Sequence, residues 1–68
     1  MPIIANLIRF ALPLKKRVDW REIQMLLIER ARSLGFEPEI EGSGPEYTLR
    51  LSSGMALMRT RDGTYRAG

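Results

Sequence analysis

PIIANLIRFAL, residues 2–12, is the stretch whose reading decides the fold. Taken in alternation, Ile4, Ile8, Phe10 and Leu12 share one face of a strand, and Ile3, Ala5, Leu7 and Ala11 share the other. A strand that is apolar on both faces belongs at the centre of a sheet. Taken at helical spacing, Pro2, Asn6, Arg9 and Pro13 gather on one side and apolar residues cover the rest, which describes an amphipathic helix able to dock on a membrane or a partner. Downstream sequence favours the strand. It holds one evident helix, and a lone helix packed on a sheet needs a central strand to cover.

That helix begins after Asp19. Asp19 and Glu22 have the spacing of a capping box, and Val18 and Ile23 that of a hydrophobic staple. Trp20, Ile23, Leu27, Ala31 and Leu34 recur at helical spacing as the buried stripe, widened by Leu26, with Met25 and Ile28 on its shoulder. Gly35 supplies the left-handed residue after the last turn, and Phe36 the hydrophobic contact of a Schellman ending. Arg30 and Arg32 suit the negative end of the helix dipole. The spacing predicts a helix over 20–34.

From Phe36 onward the period changes to two. Phe36, Pro38 and Ile40 alternate with Glu37, Glu39 and Glu41, and Pro38, lacking an N–H, marks an edge strand. Gly42-Ser43-Gly44-Pro45 reads as a loop, and Tyr47, Leu49 and Leu51 alternate with Thr48 and Arg50 in the next strand. Ser52-Ser53-Gly54 turns the chain into a strand over Met55–Arg61, and Asp62-Gly63 has the form of a two-residue hairpin turn. That register sets Arg61 opposite Thr64, Thr60 opposite Tyr65 and Arg59 opposite Arg66. The expected fold is α+β: a single helix packed on one face of a small mixed β-sheet, in the order β-α-β-β-β with a short C-terminal hairpin strand. Residues 1–68 form one small domain on this reading.

Sixty-eight residues suffice for one core, and 44% apolar with 28% charged residues is a globular composition. No apolar run approaches the roughly 20 residues of a membrane-spanning helix. Cysteine and histidine are absent, which excludes disulfide scaffolds, the usual zinc sites, cysteine nucleophiles and histidine bases. No metal or cofactor is expected, and Glu37, Glu39 and Glu41 read as a solvated edge that discourages strand addition. Residues 1–20 place apolar residues before basic ones, the reverse of a cleavable leader, so a cytoplasmic location is expected. A chain this short, without cross-links and with one sheet face uncovered, is expected to self-associate as a homo-oligomer.

The net charge is +3, and its distribution says more than its total. Residues 9–21 carry Arg9, Lys15, Lys16, Arg17 and Arg21 against Asp19, and residues 50–68 carry Arg50, Arg59, Arg61 and Arg66 against Asp62. Between them, Glu37, Glu39, Glu41 and Glu46 form an acidic block. Lys15, Lys16, Arg17 and Arg21 surround Trp20 at a helix N-terminus, a place suited to gripping phosphates and stacking a base. The plainer alternative is a solvated basic turn with Trp20 in the core. Arg59, Arg61 and Arg66 form a second basic patch on the hairpin, where facing like charges invite an anion between them. The expected function is a non-enzymatic binding module that meets nucleic acid, or an acidic protein surface, through loop 15–21 and hairpin 59–66.

A second reading rests on the opening Met1-Pro2-Ile3-Ile4, which resembles the start of the small tautomerases of the 4-oxalocrotonate type. The resemblance implies a β-α-β chain with a hairpin, assembled as an oligomer. It also implies removal of Met1, Pro2 as general base, and Arg9, Arg17 or Arg50 holding an anionic substrate.

Overall fold

A computed structural model describes residues 3–68, and Pro2, with the proline base of the tautomerase reading, lies outside the described residues. The first apolar stretch is helical: α1 covers Ile3–Ala11. A second helix, α2, covers Trp20–Ser33, and four strands follow: β1 Pro38–Glu41, β2 Thr48–Leu51, β3 Ala56–Arg59 and β4 Tyr65–Ala67. Each strand pairs antiparallel with the next, in the order β1-β2-β3-β4.

The α+β class stands, but the order is α-α-β-β-β-β, not β-α-β-β-β. The sheet is antiparallel, not mixed. The physical reason lies in what needs covering. A four-stranded meander completes its own ladder with no central strand from the N-terminus, and one helix is too narrow to shield it. The two helices divide the work, α1 packing over β3 and β4 and α2 over β1. The strand at the chain start that the tautomerase resemblance implies is replaced by α1.

Ile3, Ile4, Leu7 and Ala11 form the buried face of α1. They meet Ile23, Leu27 and Ala31 of α2 and Leu49, Leu51, Leu57 and Tyr65 of the sheet in one cluster. Leu7, Leu27, Leu49 and Leu57 are fully buried. On the outer side of the helix pair, Arg30 Nε donates to Asn6 Oδ1 at 3.3 Å, and its guanidinium lies 5.5 Å from the Phe10 ring centre. The apolar side of α1 is thus spent on this chain's own core, which leaves a membrane little to bind. Among the described residues no helix is long and apolar enough to cross one.

Helix α2 follows its sequence pattern with two departures. Its C-terminus is a Schellman motif: Phe36 N–H donates to Ala31 O and Gly35 N–H to Arg32 O, both at 3.0 Å, with Gly35 at φ 91°. Asp19, however, makes no side-chain cap; its carboxylate accepts from Arg21 Nη1 at 2.9 Å instead. Leu34 lies past the last helical residue and is 41% exposed, so it leaves the buried stripe.

Both later hairpins turn through three residues. Leu51 O accepts from Gly54 N–H at 2.9 Å while Leu51 N–H donates to Met55 O at 2.8 Å. Thr60 O accepts from Gly63 N–H at 3.0 Å while Thr60 N–H donates to Thr64 O at 2.9 Å. Gly54 and Gly63 take φ values of 95° and 90°, the left-handed position that closes a type I turn with a bulge. The two-residue turn expected at Asp62-Gly63 is therefore corrected: Arg59 pairs with Tyr65, and Arg66 with Met58. Asp62 supplies the cause. Its Oδ1 accepts from Thr64 N–H at 3.2 Å, from Thr64 Oγ1 at 2.8 Å and from Thr60 Oγ1, which braces the longer loop.

Side chains alternate along a strand, so this register assigns every residue of the hairpin to a face. The inner face holds Ile40, Leu49, Leu51, Leu57, Arg59 and Tyr65, and the outer face Glu39, Glu41, Thr48, Arg50, Met58 and Arg66. The outer face is polar. Arg50 donates to Glu41 through Nε at 2.9 Å and Nη2 at 3.2 Å. A polar outer face is ordinary for an antiparallel sheet, and this one offers a second copy little apolar surface beyond Met58.

If α1 is core, Leu7→Ala costs about 2–5 kcal/mol of unfolding free energy, as for other buried leucines. Urea denaturation followed by far-UV circular dichroism measures it. A change within about 0.5 kcal/mol, typical of exposed positions, would place α1 outside the core.

Candidate functional site: the loop end of the sheet

Antiparallel pairing gathers the C-terminal ends of β1 and β3 and the N-terminal ends of β2 and β4 at one end of the molecule. Loop 42–47 and turn 60–64 both emerge there. Helix α2 starts at the same end, since the Trp20 and Tyr47 rings sit 6.1 Å apart, tilted by 36°. Turn 12–18, which leads into α2, completes the set. Two basic segments far apart in sequence thereby lie at one end of the molecule.

Turn 12–18 faces its charges outward for a simple reason. Leu14 and Val18 pack against the core, and backbone bonds from Arg17 N–H and Val18 N–H to Leu14 O, at 2.9 and 3.0 Å, wind the chain tightly between them. Lys15, Lys16 and Arg17 are left exposed. Arg21 is exposed too, pairing with Asp19 and lying 5.0 Å over the Trp20 ring. Trp20 is half-buried: it packs on Tyr47 as a core residue would, and carries Arg21 on its surface.

The hairpin arginines do not form the patch that the two-residue turn implied. Arg59 points inward, in a cross-strand row with Tyr47 and Tyr65. Its N–H donates to Tyr47 O at 2.8 Å, its strand partner is Tyr65, and its guanidinium carbon lies 5.9 Å from the Tyr65 ring centre. Arg59 Nη1 donates to Pro45 O at 2.6 Å, which ties loop 42–47 to the hairpin. Arg61 and Arg66 instead line a shallow groove of about 440 Å³ on the outer side, with Glu46, Thr60, Asp62 and Thr64. Two carboxylates there offset two guanidinium groups.

The sequence did not reveal the inner row. Tyr47 Oη, Tyr65 Oη and Arg59 Nε are buried and meet no hydrogen-bond partner among the described residues. Burial pushes the Tyr47 phenol well above its ordinary value, Tyr65 adds to the rise and the Arg59 charge opposes it. Alternation alone puts Tyr47 inward beside Leu49 and Leu51. The β2–β3 register sets Arg59 next to it, and only the corrected turn adds Tyr65. The arginines of the tautomerase reading do not converge: Arg17 lies in the turn before α2, and Arg50 is held by Glu41 on the opposite face of the sheet.

Comparison with known proteins finds no family model that matches the chain, and no similar protein among curated sequences or solved structures.

Hydrogen bonds from Thr60 and Thr64 hold the Asp62 carboxyl down to about 2, from an ordinary 3.8. A carboxylate with a depressed value favours the fold above its unfolded value, and that help is lost as pH falls from about 4 toward 2. Carboxyl ¹³C titration is expected to show the Asp62 midpoint well below the other carboxylates, and Thr60→Val with Thr64→Val to return it toward 3.8. An unshifted midpoint in the wild type would contradict the braced turn.

Proposed function

We propose that this chain is a binding module rather than an enzyme, with the loop end as its working surface and a single-stranded nucleic acid as its partner. The observation that supports it is the exposed Lys15, Lys16, Arg17 and Arg21 beside the half-exposed Trp20, at the end of the molecule from which turn 60–64, with Arg61, also emerges. Of these, Lys15, Lys16 and Arg17 meet no carboxylate within ion-pair distance among the described residues, and they supply attraction to a phosphate backbone, which dominates such affinities. An indole edge among them supplies a platform for a base. The Arg21 guanidinium carbon lies 5.0 Å from that ring's centre, on a face where a base would take its place. An acidic protein would satisfy the cations but would leave the indole without a role.

Binding of a fluorescent oligonucleotide to the full chain tests the proposal. With three phosphates met by turn 12–18, the logarithm of affinity falls with that of salt at a slope of roughly 2 on a single strand. Replacing Lys15, Lys16 and Arg17 by Glu is expected to weaken binding by tenfold or more and to flatten that slope. Unchanged affinity in this variant, or a salt response already flat in the wild type, would overturn the proposal.

A further inference from the structure

The row of Tyr47, Arg59 and Tyr65 is not used by the surface just proposed. Tyr47 is 3% exposed and Tyr65 8%, and the hydroxyls of both have no partner within the described chain. Arg59 is half-buried, with no carboxylate within ion-pair distance among the described residues. Its Nη1 is taken by Pro45 O, while its Nε is buried and unpartnered. Buried donors in folded proteins are almost always satisfied, and an uncompensated cation beside them is costlier still. The three sit on one cross-strand row, held in line by the Arg59–Tyr47 backbone bond and the Arg59–Tyr65 pairing.

This is a set of donors around a positive charge, which is the chemistry of an oxyanion site. We infer that Tyr47 Oη, Tyr65 Oη and Arg59 Nε together bind a terminal phosphate group, one oxygen to each donor. A carboxylate has two oxygens for three donors, and an internal phosphodiester has two free ones. A phosphate monoester has three, and inorganic phosphate four. Lys15, Lys16 and Arg17 at the same end raise the local potential for a doubly charged ligand. Loop 42–47 is the way in. It rests on the row through the Arg59–Pro45 bond, and breaking that bond uncovers Arg59. The site stands on buried residues, so it survives or fails separately from the nucleic-acid surface.

Trp20, the sole tryptophan, packs on Tyr47 and reports on the site by its fluorescence. Inorganic phosphate titrated into the full chain at constant ionic strength, with sodium chloride as the balance, is expected to give a saturable fluorescence change and a rise in Tm. The double variant Tyr47→Phe, Tyr65→Phe keeps both rings and removes two donors. It is expected to melt at or above the wild-type temperature in phosphate-free buffer and to weaken the phosphate response at least tenfold. Replacing Lys15, Lys16 and Arg17 by Gln is expected to keep most of it. Acetate should produce no saturable change. A 5′-phosphorylated oligonucleotide that binds tenfold tighter than its 5′-hydroxyl twin assigns the phosphate to a strand end. Equal binding of the two, with the phosphate response intact, assigns it to a free or small monoester. No saturable phosphate response in the wild type, or one of equal strength in the double Phe variant, would overturn the inference and leave only water on these three donors.

Discussion

The turn at Arg61-Asp62-Gly63 is the constraint on which the rest of this structure depends. Because side chains alternate along a strand, one residue more or less in that turn exchanges the two faces of β4 relative to β3. With three residues and a left-handed Gly63, Tyr65 lies beside Arg59 under the helices and Arg66 beside Met58 in the open. With two, Arg59 and Arg66 would crowd one face and Tyr65 would pair with Thr60. Asp62 decides between them through its bonds to Thr60 and Thr64, and the same geometry recurs at Ser52-Ser53-Gly54. Arg66 on the outer face and Tyr65 in the inner row with Arg59 both follow from that choice.

Shielding the sheet is the second requirement, and it explains the N-terminal helix. Leu49 and Leu57 sit opposite each other in the middle strands and are wholly buried, which takes cover broader than one helix gives. Helix α1 provides the missing half through Leu7 and Ala11, and turn 12–18 must then be short and tight, pinned by Leu14 and Val18. Pinning those two is what turns Lys15, Lys16 and Arg17 outward. The basic character of the loop end is thus a consequence of how the core is closed, and the function proposed here uses a surface that packing had already placed.

How far the sequence foretold this depends on the kind of signal. Helix α2 was legible because several local devices agree: the apolar stripe from Ile23 to Ala31, and Gly35 with Phe36 at its end. The strands were legible from alternation, and the Pro38 edge from its missing N–H. Residues 3–11 were not, since Ile, Leu, Phe and Ala there satisfy both periods. What settles them is the tertiary need to cover β3 and β4, which no local pattern expresses. Asp62-Gly63 misled for a related reason, because that dipeptide fits a two-residue turn and also the last two positions of a three-residue one. The basic loop at 15–17 was legible as charge. Its companionship with turn 60–64 was not, and neither was the Tyr47–Arg59–Tyr65 row, because both are products of register.

Proton–proton distances across the β3–β4 hairpin test that register most directly. Arg59 and Tyr65 form a pair without backbone hydrogen bonds between them, since Thr60 N–H donates to Thr64 O on one side of it. In such a pair the two Hα protons lie close together. A strong Hα–Hα Overhauser contact between Arg59 and Tyr65, and another between Leu57 and Ala67, is the result this account requires. Contacts joining Thr60 to Tyr65 and Met58 to Ala67 instead would reverse the faces of β4 and take Tyr65 out of the inner row.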